Sequence, residues 1–191
     1  MKKKTKTPTV LSVLQSIDKK LDVIIKLNSP VIIDGISADI TPKPAWKTIK
    51  IGGKTKEELL KDIQVSSYAK SMVDTITLPT EVQEASFSIK TPRELGFTES
   101  PTFRQFIDFL KAHKEYDICK PEDALFLRKE YTEQPKYEWI RCAMETIPDS
   151  DGDPSVFRLV HDDSGVWLDR DWYNDGRRLD LDNRWVVRIR K

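Results

Sequence analysis

The chain has 191 residues, of which 38% are hydrophobic and 33% are charged, and its formal net charge is +1. This length suits one compact domain with appendages, because ordinary domains cluster near roughly 100–150 residues. No run of about 18 apolar residues could span a bilayer, so the sequence predicts no membrane association. The only two cysteines, Cys119 and Cys142, form neither a disulfide framework nor a paired zinc pattern, and they favour the cytoplasm.

The N-terminal segment is basic. Residues 1–50 hold ten Lys and four Asp, a net charge of +6, and since the whole chain carries +1 the remaining residues carry −5. Such a segment can bind nucleic acid or acidic partners, but it is more often a solvated end. We interpret it as a solubilising tail.

Residues 10–28 show the apolar spacing of an amphipathic, coiled-coil helix. Its seam places leucine at heptad position a and isoleucine at position d, which favours a coiled coil of three or four helices. A polar residue occupies the last a position. A helix this short is not stable alone in water, so it packs on copies of itself or on the main domain. We expect a homo-oligomer, a trimer or tetramer. The seam residues are Leu14, Ile17, Leu21, Ile24 and Asn28.

The chain divides into three predicted parts: residues 1–28 as the basic tail and oligomerising helix, 29–45 as a linker, and 46–191 as a globular domain. Three prolines, a glycine and small polar residues indicate the linker, with a short strand at Val31–Ile33.

Helices dominate the first half of the predicted domain, after a strand at Lys47–Ile51. Thr55 and Glu58 form a capping box, and a second helix covers residues 68–76. A helix after Ser100-Pro101 has apolar residues at helical spacing, and another begins at Pro121. The apolar residues are Phe103, Phe106, Ile107 and Leu110.

After Pro135 the hydrophobic pattern changes to a two-residue period. This alternation predicts an antiparallel meander of about four strands. Helices first and strands last give an α+β fold class, in which the helices cover one face of the meander. The predicted strands are residues 138–145, 155–161, 165–169 and 184–190.

The acidic segment DSDGDP invites a calcium interpretation. With Asp149 at position 1 of an EF-hand loop, however, Pro154 occupies the glycine position and Val160 the position of the bidentate glutamate. These residue types also suit a turn, which we predict here. A metal-dependent hydrolase using nearby aspartates stays open as an alternative, although the sequence predicts neither a metal site nor a cofactor.

Arginines on the last strands suggest a second alternative, a nucleic-acid-associated protein. Arg188 and Arg190 share one face of the last strand, and Arg141 and Arg158 can join that face from neighbouring strands. Such a face could follow a phosphate backbone. An ordinary solvated sheet face explains the same pattern.

Several stretches resemble a group of small bacterial proteins with a variable N-terminus and no known activity. The stretches are WKTIKIGG, ELGF, LRKEYTEQPKYEWIRCAMETIPDSDGDPSVFRL and NRWVV. The resemblance covers roughly residues 46–191 and implies a bacterial cytoplasmic setting. It also makes Glu122, Arg128, Gln134 and Glu145 candidates for a binding or Glu/Arg catalytic site, or for a buried pair that fixes the helices to the sheet.

The leading functional hypothesis is a non-catalytic cytoplasmic binding or interaction protein that self-associates through its N-terminal helix. It rests on the heptad seam. Its partner is another protein or a ligand, and the nucleic-acid and enzyme alternatives remain.

Overall fold

A computed structural model describes residues 31–33, 36–38 and 45–191. Contacts divide the chain between Pro44 and Ala45, and each part is described by itself. In the first part, strand β1 (Val31–Ile33) pairs antiparallel with β2 (Ile36–Ala38). The predicted helix at residues 10–28 lies outside the described residues. So do its seam residues Leu14, Ile17, Leu21, Ile24 and Asn28.

Residues 45–191 contain four helices. They are α1 (Lys56–Leu60), α2 (Ser67–Thr75), α3 (Phe103–Ala112) and α4 (Pro121–Glu130). Thr55 closes a capping box with Glu58, which confirms that prediction, and Thr102 does the same with Gln105. Within the described residues, no helix is long and apolar enough to cross a bilayer.

Nine strands of this part form one mixed sheet. The strands are β3 (Lys47–Ile51), β4 (Gln64–Val65), β5 (Gln83–Lys90), β6 (Tyr116–Asp117), β7 (Trp139–Cys142), β8 (Ile147–Pro148), β9 (Pro154–Asp162), β10 (Gly165–Trp172) and β11 (Trp185–Ile189). Their order in the sheet is β3-β5-β11-β7-β9-β10-β4, with β6 beside β11 and β8 beside β9. Strand β11 runs antiparallel to β5 and parallel to β7, and β4 runs parallel to β10.

The predicted fold class, an α+β domain on a four-stranded antiparallel meander, is wrong. Strands β7, β9 and β10 do pair in chain order, but β11 lies between β5 and β7 instead of following β10. Alternation of apolar and polar residues identifies a strand but not the strand that pairs with it. That partner is determined by packing between segments that are distant in the sequence. Strand β5 also went unrecognised, although Ala85, Phe87 and Ile89 alternate in it with polar residues.

Helices lie on both faces of the sheet, not on one as predicted. The Trp185 ring of β11 packs against Phe103 and Phe106 of α3, with ring centroids 6.1 and 5.2 Å apart. Arg188 is three positions further along β11 and therefore faces the other way. It binds Asp123 of α4. The last strand is thus enclosed by α3 on one side and α4 on the other.

Candidate functional site

Arg128 and Gln134 are the two candidate residues that the structure brings into direct contact. Arg128 Nη1 donates to Gln134 Oε1 at 2.5 Å, and Gln134 Nε2 donates to the carbonyls of Glu138 and Leu159 at 2.9 and 3.1 Å. Both side chains are buried. Burial lowers the pKa of Arg128 to about 10. The pair therefore ties the end of α4 to β9 and the residue before β7 from inside the core.

Glu122 and Glu145 lie elsewhere. Glu145 accepts hydrogen bonds from Arg104, at 2.6 Å, and from Lys111, both on α3. Glu122 lines a small cavity of about 160 Å³ at the start of α4. Within the described residues, no hydrogen bond or ion pair joins either glutamate to Arg128. The four candidates therefore do not converge on one site.

The four candidate arginines of the sheet divide between its two faces. Parallel pairing aligns Arg141 with Trp185, and antiparallel pairing aligns Arg158 with Arg141, so these three side chains share a face. Arg188 and Arg190 face the opposite side. Two of the four arginines therefore lie on each face of the sheet, and they do not form one continuous basic surface.

Each of these arginines is also bound to a carboxylate. A phosphate group would have to compete with those carboxylates for the guanidinium groups, which weakens the case for a nucleic-acid backbone along this sheet. The ion pairs are Arg141–Asp171 (2.6 Å), Arg158–Asp169 (2.6 Å), Arg188–Asp123 (2.7 Å) and Arg190–Asp117 (2.7 Å).

The acidic segment after β8 is a turn that is organised by its first aspartate. Asp149 Oδ1 accepts hydrogen bonds from the backbone N–H groups of Asp151 and Asp153 at 2.9 and 3.0 Å. Its Oδ2 lies 3.3 Å from the Ser155 hydroxyl, which donates to it. Among the described residues, no group of three or more His, Cys, Asp or Glu side chains is placed to hold a metal ion. The Asp149 carboxylate therefore organises the turn, and it also pairs with Arg170 of β10 at 3.3 Å.

Exposed aromatic side chains share an unexpected arrangement. Each carries a Lys or Arg over its ring at 5.0–5.8 Å, and each of those cations pairs with an aspartate at 2.6–3.6 Å. We call each group a ring–cation–carboxylate set. The four sets in the described residues, with the exposed fraction of the aromatic residue, are Tyr68–Arg170–Asp149 (59%), Tyr137–Lys136–Asp163 (66%), Trp139–Arg158–Asp169 (52%) and Trp172–Arg177–Asp171 (37%).

The Trp139 set is built from three neighbouring strands. Arg158 lies 5.0 Å from the Trp139 ring centroid and donates two hydrogen bonds to Asp169 Oδ2, at 3.0 and 2.6 Å. Asp169 Oδ1 accepts a further hydrogen bond from the Ser66 hydroxyl at 2.5 Å, and Ser66 caps helix α2. Strand β7 supplies the ring, β9 the cation and β10 the carboxylate. One face of the indole is thus fixed against the sheet while half of the residue stays exposed.

Tyr137 lies two residues earlier, in a turn at residues 135–138. Its φ of 67° is the left-handed conformation, and Tyr137 is the only non-glycine residue of the described chain that adopts it. The Tyr137 N–H and the Glu138 carbonyl both bond to the backbone of His161, so two residues oppose one in a bulge. The Tyr137 hydroxyl donates to Asp163 at 2.9 Å, and Lys136 lies 5.2 Å from the ring centroid.

We call Tyr137 and Trp139 together the aromatic platform. Of its supporting residues, only Arg158 was predicted from the sequence as a site residue, and neither ring was. A turn proline followed by two aromatics at alternate positions, in Pro135-Lys136-Tyr137-Glu138-Trp139, was the available signal. Whether such rings are exposed depends on the neighbouring strands, which the sequence did not show.

Comparison with protein-family models, with curated proteins and with solved structures finds no match to this chain. The resemblance to small bacterial proteins therefore stays a prediction.

Proposed function

We propose that this chain is a non-catalytic binding protein and that the aromatic platform is its binding surface. The supporting observation is that Trp139 is half exposed while Arg158, bound to Asp169, holds one face of its ring. A ring fixed in advance loses little conformational freedom when a ligand stacks on it. Tryptophan and tyrosine are also enriched among the residues that contribute most to binding at protein interfaces.

We propose a cytoplasmic location for the same protein. Cys119 and Cys142 are both buried free thiols. Reduced cysteines are typical of compartments in which glutathione and thioredoxin keep thiols unpaired.

The binding proposal is tested by fluorine NMR of the full chain labelled with 5-fluorotryptophan. Its five tryptophans give separate resonances, and a Trp139→Phe variant assigns the one from Trp139. Three probes are titrated: a ten-residue polyproline peptide, maltohexaose and a ten-nucleotide oligothymidylate. A saturable shift confined to Trp139 with any of them supports the proposal. If none of the three moves that resonance, the platform is not a binding surface for these ligand classes and the proposal fails.

We also propose that the chain forms a trimer or tetramer through the predicted helix at residues 10–28. The heptad seam supports this, since leucine at a and isoleucine at d favour more than two strands. Light scattering on the full chain is compared with an Ile17→Asp/Ile24→Asp variant, which places charges in the seam. A Ser12→Asp/Gln15→Asp variant adds the same charge on the outer side of the predicted helix. The seam variant should be monomeric and the control oligomeric, whereas a monomeric full chain would contradict the proposal.

A further inference from the structure

The aromatic platform offers two separate stacking surfaces. Lys136 and Arg158 each occupy one face of a ring, and the exposed fractions of 66% and 52% show that much of each ring remains accessible. In the described residues, Tyr137 and Trp139 make no ring–ring contact with each other. Each ring therefore leaves room for an apolar unit of a ligand to stack on it.

The charges around the platform cancel. Lys136 pairs with Asp163 at 2.7 Å, and Arg158 pairs with Asp169 at 2.6 Å. A third ion pair joins Arg184 to Glu138, the residue directly before Trp139 at the start of β7. Three cations thus face three carboxylates, so a polyanion gains no net attraction, and a ligand of low charge fits best.

Hydrogen-bond donors exceed acceptors beside Trp139. Both oxygens of Asp169 already accept hydrogen bonds, from Ser66 and from Arg158. In the described part of the chain, no protein group accepts from the Trp139 indole N–H or from Arg158 Nη1. The ligand should therefore bring acceptors.

A proline-rich segment has this complementary chemistry. Proline has no N–H, and the polyproline II helix makes no internal hydrogen bonds, so its carbonyl groups remain available as acceptors. Its pyrrolidine rings are apolar and recur on one side every third residue. Aromatic-lined grooves are a general means of binding such segments. A sugar, by contrast, brings hydroxyl donors as well as acceptors.

We propose that the aromatic platform binds a proline-rich peptide segment in the polyproline II conformation. This inference rests on the proposed binding function and names its ligand class. The left-handed backbone at Tyr137 supports it. Glycine would adopt that φ more easily, so the turn geometry alone does not select a tyrosine; its hydroxyl binds Asp163, and its exposed ring adds a surface for stacking.

The test is fluorescence anisotropy with the full chain and a labelled ten-residue polyproline peptide. A Gly-Ser peptide of the same length serves as the probe control. The variants are Trp139→Ala and Tyr137→Ala, both at exposed positions, and Trp172→Ala as the matched control. Trp172 is also exposed and has a cation over its ring. It pairs with Ser155 of β9, whereas Trp139 pairs with Val160 of the same strand. Ser155 and Val160 are about 17 Å apart along β9, so the two tryptophans lie in different places.

We expect saturable binding of the polyproline peptide and none of the Gly-Ser peptide. Trp139→Ala should weaken binding about tenfold or more, Tyr137→Ala should weaken it as well, and Trp172→Ala should leave it unchanged. Equal affinity in Trp139→Ala and Trp172→Ala would overturn the inference, as would no binding of polyproline at all. If maltohexaose or oligothymidylate shifts the Trp139 fluorine resonance while polyproline does not, the binding proposal stands and this inference fails. If no probe shifts it, both fail.

Discussion

Arg188 and Asp123 are joined by two hydrogen bonds, each 2.7 Å long, that connect strand β11 to the first turn of α4. The Asp123 side chain is fully buried, and it also accepts a hydrogen bond from the Lys120 N–H at the start of the helix. The buried Asp123 carboxylate accepts hydrogen bonds from a strand and from a helix, so its loss should lower the free energy of unfolding more than the loss of an exposed ion pair.

We expect Asp123→Ala to lower the free energy of unfolding by about 3–5 kcal/mol, because it leaves the half-buried Arg188 without its partner. The matched control is Asp182→Ala, which removes an exposed partner of Arg93. That change should cost much less, because an ion pair open to solvent contributes little to stability. Urea unfolding of both variants provides the measurement. Similar small losses in the two would show that the Arg188–Asp123 pair is not formed in solution.

Substitutions at Tyr137 test the left-handed backbone. Alanine and glycine both remove the ring, but only glycine adopts a φ of 67° without a steric penalty. Tyr137→Gly should therefore be more stable than Tyr137→Ala by roughly 1 kcal/mol, since the penalty of about 1–2 kcal/mol is partly offset by the greater freedom of glycine in the unfolded chain. The midpoint of urea unfolding measures the difference. Equal stabilities would mean that residue 137 does not have this conformation in solution.

Asp169 should make stability depend on pH in the acidic range. Burial favours its neutral form, but the hydrogen bonds from Ser66 and Arg158 outweigh burial and hold the pKa of Asp169 below its ordinary value. A carboxyl whose pKa is lower in the folded chain stabilises the fold above its unfolded pKa, near 4, and this stabilisation is lost as the pH falls through the folded value.

We therefore expect Asp169→Asn to be less stable than the unmodified protein at neutral pH, with the difference shrinking below about pH 4. Thermal or urea unfolding across that range gives the difference directly. Glu84→Gln, at an exposed position of β5, controls for the loss of a carboxylate as such. A difference that is constant with pH would rule out the contribution assigned to the Asp169 charge.

Cys119 and Cys142 should not react with thiol reagents in the folded protein. Both side chains are buried, and burial raises the pKa of each thiol, so little reactive thiolate is present. Ellman's reagent should detect no thiol in native conditions and two in denaturant. A Lys114→Cys variant at an exposed position provides the positive control. Rapid native labelling of the two natural thiols would show that the sheet opens around β11.

Local signals in the sequence predicted the helices well. The Thr55 capping box is formed, and Phe103, Phe106, Ile107 and Leu110 are all buried on α3 as their spacing indicated. Each of these signals lies within a dozen residues and depends on short-range geometry. The same is true of the Asp149 turn.

The order of the strands depends on contacts that no local pattern reports. Val186 pairs with Ile89 on one side and with Cys142 on the other, partners that lie far from it in the sequence. This pairing explains both the wrong fold class and the separation of Arg141 and Arg158 from Arg188 and Arg190. The exposure of Tyr137 and Trp139 is a result of the same long-range arrangement, so the local signal at residues 135–139 could not show that these rings are exposed.

The central position of β11 has a consequence for synthesis on the ribosome. This strand is translated after the other strands of the described residues, yet it pairs with β5, β6 and β7 and so connects the two halves of the sheet. Until it leaves the exit tunnel, the edges of β5 and β7 that β11 will occupy lack their partner. Such exposed intermediates are prone to aggregate and are common substrates of chaperones. The sheet of residues 45–191 can therefore be completed only after β11 has been synthesised.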